Sequence, residues 1–238
     1  MFRLLHGWGL NSAVFGGFRE ALAIPTQSLD LPGHGQAPYE RGDLDPERLA
    51  QTLARRYPEP SVWLGWSLGG LVALVLAARH PECVTKLILV GATPCFLRSP
   101  DWSHGTEHAV LKGFADQLEC GYEATLRRFL TLQAGVGERA QVRKLMSDLK
   151  TGGSAQAAAL AEGLFVLATH DLRGLLDSIQ IPTLFIHGAD DKVVSPEAAR
   201  WSAQRMAHAR LCVLGHGHAP FLSDEARCAE IVKDFLYE

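Results

Sequence analysis

The chain has 238 residues, 47% of them hydrophobic, which is enough for a sizeable core in one domain or in one domain with an insertion. Its 23 basic and 26 acidic residues give a formal net charge of −3, which offers no reason to expect nucleic acid or a membrane surface as a partner. No apolar run approaches the roughly 18 residues of a membrane span. The five cysteines are widely spaced without a Cys-x-x-Cys pair, which argues against a disulfide framework or a zinc site and favours a cytoplasmic protein, which we expect to be a monomer.

The first predicted strand, Phe2 to Leu5, runs directly into the glycine-rich turn His6-Gly-Trp-Gly-Leu10. Such turns bring backbone N–H groups close to a ligand, so the N–H of Trp8 is a candidate oxyanion donor. The alternative is a plain turn with Trp8 as a core side chain. A helix over 15–22, a strand over 26–29 and a helix over 46–57 follow. His34, in the turn after the second strand, is interpreted as structural.

The stretch Gly65-Trp-Ser-Leu-Gly69 follows a short buried strand over 61–64 and precedes an apolar helix over 68–79. A G-x-S-x-G motif between a strand and a helix is typical of a nucleophile elbow, in which the serine lies at a strained tip and close neighbours lack side chains. Ser67 is therefore the candidate nucleophile. The N–H of Leu68, at the start of the helix, is the second candidate oxyanion donor. The alternative is an ordinary glycine-rich turn with an incidental serine.

Strands alternate with helices up to a fourth strand over 86–90, a pattern that predicts an α/β fold with a mostly parallel sheet flanked by helices. Residues 98–170 then contain no clear strand and four predicted helices, over 110–118, 123–132, 139–149 and 156–167. We expect this segment to form a helical cap inserted into a core made of residues 1–97 and 171–238.

Part of the predicted cap is basic, with six basic and three acidic residues between positions 123 and 150. This excess predicts a docking surface for an acidic partner, and the alternative is an ordinary solvated helical face. The candidate docking residues are Arg127, Arg128, Arg139, Arg143 and Lys144.

Two late strands, over 183–187 and 210–214, precede the remaining candidates for catalysis. A serine hydroxyl becomes a good nucleophile when a histidine takes its proton and a carboxylate orients that histidine. Asp191 is favoured over the adjacent Asp190 because it lies three residues after Gly188. His218 is favoured over His216 because it opens the run into the last helix.

Neither histidine is accompanied by a spaced set of metal ligands. Because a G-x-G-x-x-G signature and a Walker loop are also absent, we expect no cofactor and no metal.

The chain resembles the α/β-hydrolases and, more narrowly, the pimeloyl-[acyl-carrier protein] methyl ester esterases of biotin synthesis. The resemblance extends over essentially the whole chain. The narrower part rests on Trp63-Leu-Gly-Trp-Ser-Leu-Gly-Gly70 and Phe129-Leu-Thr-Leu-Gln133. Other matching stretches are His6-Gly-Trp-Gly-Leu-Asn11, Asp30-Leu-Pro-Gly33, Pro94-Cys-Phe96, Asp171-Leu-Arg173 and His218-Ala-Pro-Phe221.

The resemblance implies a serine esterase with Ser67 as nucleophile, Asp191 as acid and His218 as base. It implies an acyl-binding site formed by Trp8, Ser67, Leu68, Phe129, Leu130, Thr131, Leu132, Gln133 and His218. The implied substrate is a methyl ester at the far end of a pimeloyl chain on acyl-carrier protein, and the products are methanol and the free pimeloyl thioester. Basic cap residues such as Arg128 would receive the acidic carrier.

Two other functions are compatible with the same motifs. One is a broad carboxylesterase or C–C bond hydrolase with the same triad, whereas serine rather than aspartate at position 67 argues against dehalogenase and epoxide hydrolase chemistry. The other is a non-catalytic binding protein of the same fold, which is disfavoured because every triad element has a candidate in place.

Overall fold

The computed structural model describes residues 1–121, 125, 129–131, 139–215 and 217–238. In this part of the chain six strands form one sheet, with the order β2-β1-β3-β4-β5-β6 and every pairing parallel. The strands are β1 (Phe2–Leu5), β2 (Thr26–Leu29), β3 (Ser61–Trp66), β4 (Val84–Val90), β5 (Thr183–Gly188) and β6 (Ala209–Leu214). The predicted α/β fold with a parallel sheet is confirmed.

Helices flank this sheet. They are α1 (Gly16–Leu22), α2 (Pro46–Arg56), α3 (Leu68–Arg79), α4 (His108–Cys120), α5 (Arg139–Gly152), α6 (Ala157–Thr169), α7 (Pro196–Arg205), α8 (Pro220–Ser223) and α9 (Glu225–Tyr237). Short 3₁₀ turns cover Ser12–Phe15, Pro81–Cys83 and Arg173–Ser178. No helix in the described ranges is long and apolar enough to cross a membrane.

The helix after the elbow is buried nearly all round, from Leu68 to Ala77. It packs between the sheet and α2, which offers it a face of leucines and alanines. This explains why α3 is apolar on every side rather than along one stripe. The start of α2 follows the expected signal, because Pro46 occupies the first turn and the Asp45 side chain accepts the Arg48 N–H at 3.0 Å.

The described structure differs from the sequence-based elements in three places. Strand β3 extends to Trp66, two residues beyond the predicted end, because its pairing with β4 continues to Val90. The short helix α8 was not predicted, whereas the predicted final helix over 223–236 corresponds to α9, which Asp224 caps by accepting the Arg227 N–H at 3.0 Å. Helix α7 was not predicted, although Ser195 caps it ahead of a proline at its first turn.

The topology brings one end of every strand to the same edge of the sheet. The turn at His6 follows β1, Asp30 follows β2, Ser67 follows β3 and Gly91 follows β4. Between β4 and β5 the chain forms α4, α5 and α6. In parallel sheets a site forms where the carboxyl ends of the strands meet the loops that follow them.

Candidate active site

The backbone of Ser67 has φ 55° and ψ −116°, a conformation that few residues with a side chain adopt. Among the described residues other than glycine, Ala23 is the one further case of positive φ. The strain is held by the sheet and by the first turn of α3. The Ser67 N–H donates to the Val90 carbonyl at 3.0 Å, and the Ser67 carbonyl accepts the Gly70 N–H at 2.8 Å. The sequence thus forms the tight strand-to-helix turn that its motif predicts.

Two glycines permit this turn through close backbone contacts. A Cβ at Gly65 would lie 2.4 Å from the carbonyl oxygen of Gly69, and a Cβ at Gly69 would lie 2.6 Å from the carbonyl oxygens of Leu5 and His6. Both distances are well below van der Waals contact, and the atoms that would be struck belong to the backbone. The elbow therefore requires glycine on both sides of the serine.

His218 and Asp191 form a buried hydrogen-bonded pair. The imidazole Nδ1 of His218 donates to Oδ2 of Asp191 at 2.8 Å, and the two residues are 0% and 7% exposed. The other carboxylate oxygen, Oδ1, accepts the N–H groups of Val193 at 2.8 Å and Val194 at 3.0 Å. The neighbouring Asp190 points to the solvent. Of the two adjacent carboxylates, Asp191 is the one that contacts this histidine.

The surroundings keep the Asp191 carboxylate ionised. Burial raises its pKa, but the charge of His218 and the hydrogen bonds from His187 and His218 outweigh burial and hold the pKa below its usual range. An ionised carboxylate fixes the neutral tautomer of His218 with its proton on Nδ1, which leaves the lone pair on Nε2.

The ring of His218 lies beside the elbow residue Trp66, with the two ring centroids 5.8 Å apart. His218 Nε2 is buried and has no hydrogen-bond partner among the described residues, so it does not bond the Ser67 hydroxyl. The ring is nevertheless adjacent to the elbow, because the Trp66 indole N–H donates to the His218 carbonyl at 3.0 Å and a Cβ at Gly91 would lie 3.1 Å from His218 Nδ1. Catalytic hydrogen bonds are often long or unformed without substrate. His216, the alternative candidate, lies outside the described residues.

The turn after β1 faces the elbow. A Cβ at Gly7 would lie 3.1 Å from the Ser67 Cβ, which brings the Trp8 backbone to the same site. The Trp8 side chain is buried and its indole N–H donates to the Leu160 carbonyl of α6 at 2.8 Å. Trp8 is therefore a core side chain, as the alternative interpretation expected, in a turn that also lies against the serine. Leu68 is the first residue of α3, where a peptide N–H has no partner within the helix.

Two buried histidines shape this turn. His6 Nε2 accepts the Leu31 N–H at 2.9 Å, and His34 Nε2 accepts the Gly9 N–H at 3.3 Å. Burial lowers the pKa of His6 to about 3 and lowers that of His34. Both rings are therefore neutral acceptors that hold the backbone in place, and His34 makes the structural contacts expected of it.

A narrow, mostly apolar cavity opens above Ser67. The described residues lining it are Trp8, Ser67, Phe96, Thr106, Val110, Leu111, Phe114, Phe129, Leu164, Leu167, Lys192 and Val193. Val110 and Lys192 are its exposed members and mark the mouth. The remaining lining side chains are apolar apart from Ser67 and Thr106. The cavity suits a hydrocarbon chain with its reactive end at the serine.

The predicted acyl-binding stretch 129–133 meets this cavity at Phe129, whose ring packs edge-on against Trp8 with centroids 4.9 Å apart. Leu130 is buried in the core and Thr131 is exposed, and neither is among the described lining residues. Leu132 and Gln133 lie outside the described residues.

The predicted docking residues are described only in part. Arg143 on α5 is exposed, whereas Lys144 forms an ion pair with Glu225 at the start of α9. The backbone of Arg139 begins α5. Arg127 and Arg128 lie outside the described residues.

Sequence analysis missed two kinds of residue at this site. His187, four residues before Asp191 at the end of β5, lies 3.1 Å from the carboxylate. On α4 and α6, the side chains that line the cavity lie at helical spacing, a pattern that by itself predicts only a helix; they are Leu111, Phe114, Leu164 and Leu167. No group of three or more His, Cys, Asp or Glu side chains suited to a metal occurs in the described part of the chain.

Comparison with known proteins finds similarity over nearly the full length of the chain. The sequence pattern of the alpha/beta hydrolase family matches residues 4–231. The pimeloyl-[acyl-carrier protein] methyl ester esterase of Nitrosospira multiformis is 41% identical over 231 residues, covering 92% of this chain and 88% of the relative. The protein of that name in Aromatoleum aromaticum is 40% identical over 243 residues, covering 98% and 96%.

Among solved structures, an esterase from Exiguobacterium antarcticum superposes with a TM-score of 0.91 at 23% identity, covering 100% of this chain and 91% of that one. At this identity the likeness concerns the fold alone. Together with the family match and the two close relatives, it confirms the resemblance from the sequence motifs. The chain belongs to the alpha/beta hydrolase family.

Proposed function

We propose that this protein is a serine carboxylesterase of biotin synthesis that hydrolyses pimeloyl-[acyl-carrier protein] methyl ester to pimeloyl-[acyl-carrier protein] and methanol. The observation that carries the substrate is the near-full-length likeness, at about 40% identity, to relatives bearing that name. The apolar cavity above a strained serine supports it, because a pimeloyl chain is a run of methylenes with an ester at its end.

The triad of this proposal is Ser67, Asp191 and His218. His218 Nε2 takes the proton of the Ser67 hydroxyl as its oxygen attacks the ester carbonyl, and Asp191 stabilises the imidazolium that forms. The N–H groups of Trp8 and Leu68 receive the negative charge on the carbonyl oxygen.

The tetrahedral intermediate collapses when His218 returns the proton to the methoxy oxygen. Methanol leaves and an acyl-Ser67 ester remains. A water molecule then gives a proton to His218 and attacks the carbonyl of this ester. As the bond to the Ser67 oxygen breaks, His218 returns that proton to the serine, and the pimeloyl acid that leaves ionises to its carboxylate in water.

The cavity gives this substrate a direction. With the methyl ester at Ser67, the chain extends between the side chains of α4 and α6 toward the mouth at Val110 and Lys192, where the thioester end meets the solvent. In the proposed division, residues 98–170 form the cap and residues 1–97 and 171–238 form the hydrolase core. Phe129 supplies the cap's aromatic contact, and Leu130 to Gln133 continue the same acyl-binding segment.

The partner of this proposal is an acyl-carrier protein, which is acidic and therefore suited to the basic cap. Exposed Arg143 supports this docking role together with Arg127, Arg128 and Arg139, whereas the ion pair of Lys144 with Glu225 makes it a weaker contributor.

Arg143→Glu should slow hydrolysis of the carrier-linked ester and leave that of a p-nitrophenyl ester unchanged; equal effects on both would contradict docking. We also propose that the enzyme acts in the cytoplasm as a monomer.

The decisive experiment is complementation of a bacterial strain blocked at this step of biotin synthesis. The wild-type chain should restore growth without biotin, and Ser67→Ala should not, although it folds. Short p-nitrophenyl esters do not distinguish this function from that of a broad esterase, because either enzyme cleaves them. Failure of a well-expressed wild-type chain to complement, with ester hydrolysis intact, would leave a general carboxylesterase and reject the biotin role.

A further inference from the structure

A second histidine lies against the carboxylate that holds His218. His187, the penultimate residue of β5, is 1% exposed. Its Nε2 lies 3.0 Å from the Val194 carbonyl oxygen and 3.1 Å from Oδ2 of Asp191. Oδ2 is also the oxygen that accepts the hydrogen bond of His218. Two imidazoles therefore meet at one carboxylate oxygen.

The contacts of His187 fix its protonation. Both atoms near Nε2 are acceptors, so Nε2 carries the hydrogen, which it donates to the Val194 carbonyl while also facing Oδ2 of Asp191. The other nitrogen, Nδ1, is buried without a hydrogen-bond partner among the described residues. His187 therefore acts on Asp191 through the hydrogen on Nε2.

Few other charges reach this pair. The titratable groups acting on the Asp191 carboxylate are His187 and His218. The elbow contributes Trp66 and Ser67, and the turn after β4 contributes Gly91, none of which is charged. The charged chain neighbours of Asp191, Asp190 and Lys192, are both exposed. Among the described residues, the His187 N–H and the Val193 and Val194 N–H groups are the donors placed to reduce the carboxylate charge that His218 experiences.

We propose that His187 is a positioning residue that sets the basicity of His218 by holding an N–H against Oδ2 of Asp191. The N–H draws negative charge away from the side of the carboxylate that faces His218 and, with the Val193 and Val194 N–H groups on Oδ1, fixes its rotation. A carboxylate with less charge on Oδ2 stabilises the imidazolium less, so His218 releases its proton at lower pH. This inference rests on the proposed triad.

The test is the pH dependence of kcat/KM for a p-nitrophenyl ester. His187→Phe removes the donor and keeps an aromatic ring, and His187→Gln places an amide N–H where Nε2 lies. We expect the acid limb to move up by about half to one pH unit in His187→Phe, the equivalent of one hydrogen bond, and to stay in place in His187→Gln. If His187→Phe does not fold, His187→Met, which is unbranched and also lacks a donor, takes its place.

The outcomes separate this inference from the function on which it rests. A uniform fall of activity at all pH values, with the acid limb unmoved in the donor-free variant, would mean that His187 only fills space. An equal shift in His187→Gln would also overturn the inference, because the donor would then be irrelevant. A wrong assignment of the triad would be detected separately, because the Ser67→Ala variant would then hydrolyse the ester as the wild type does.

Discussion

At the scale of single residues, the strained backbone of Ser67 is possible because Gly65 and Gly69 have no Cβ. A positive φ at a residue with a Cβ costs of order 1–2 kcal/mol, and it persists here because the hydrogen bonds to Val90 and Gly70 and the packing of α3 leave no alternative backbone path. The strain exposes the hydroxyl to the cavity instead of to the helix.

Replacing Gly65 by alanine should destabilise the protein by about 2–3 kcal/mol, because the new Cβ would strike the backbone of α3 and neither segment can retreat. The free energy of unfolding in urea measures this loss. Gly113→Ala is the matched control, since a Cβ on this residue of α4 meets nothing within 4 Å and should add about 0.5–1 kcal/mol as in any helix interior. Similar losses in both variants would contradict the close-contact argument.

Much of the site could be predicted at this scale, since the order of Ser67, Asp191 and His218 and the glycines around the serine are local patterns. The contact of Asp191 rather than Asp190 with the histidine followed from spacing within one turn. The contact between His187 and Asp191 could not be predicted, because it depends on how the turn after β5 folds the carboxylate back over the end of the strand.

At the scale of elements, helices α4 and α6 separate two apolar spaces. Leu111 and Leu164 line the cavity that contains Ser67, and they also line a groove on the outer surface of the same helices, beside the exposed Phe165. These two leucines therefore form a side wall between the inner cavity and the outer groove.

Leu164→Ala should join the cavity to the groove and make room for longer acyl chains. Removing about three heavy atoms from a buried wall leaves space that apolar chains fill readily. We expect the preference among p-nitrophenyl acyl esters to shift toward longer chains, measured as the ratio of kcat/KM for decanoate to that for butyrate. Leu118→Ala, which lines only the groove, is the control and should keep the wild-type ratio. An unchanged ratio in Leu164→Ala would mean that this side wall does not limit the acyl chain.

Element prediction succeeded where one physical signal dominates. Alternating buried strands and helices gave the parallel sheet, and the proline at the start of α2 gave its boundary. The final helix was predicted with Asp224 as a possible cap, and Asp224 does cap α9. The short helix α8 was missed because four residues carry too little periodicity to predict a helix. Which faces of α4 and α6 line a cavity depends on their partners and is not visible in either helix alone.

At the scale of the whole molecule, the core contains ionisable groups that are buried without the proton that they would bind at low pH. His6 and His34 are buried as neutral acceptors beneath the turn of Trp8, with the pKa of His6 lowered to about 3. Asp191 is buried as a carboxylate with its pKa below the usual range. These groups belong to the site, so the same burial that organises the site makes the whole fold depend on pH.

Stability should therefore fall as pH drops from about 6.5. That value is the ordinary pKa of histidine, and the pKa of folded His6 is about 3. Between these two values the unfolded chain binds a proton at position 6 and the folded chain does not. Each such histidine therefore lowers the free energy of unfolding by up to about 1.4 kcal/mol per pH unit. The free energy of unfolding in urea at pH 7, 6 and 5 measures the slope. Asp191 adds a loss in the same direction only at lower pH, below the ordinary pKa of an aspartate.

His6→Gln isolates the contribution of one ring, because the amide oxygen keeps an acceptor for the Leu31 N–H but takes up no proton. Its free energy of unfolding should decline less steeply between pH 7 and 5 than that of wild type, even if the loss of ring packing lowers its value at pH 7. His208→Gln, at an exposed position before β6, should keep the wild-type slope. A wild-type slope in the His6 variant would mean that this histidine accepts its proton within the folded state, and the turn that carries Trp8 would then be looser in acid than the buried contacts of His6 imply.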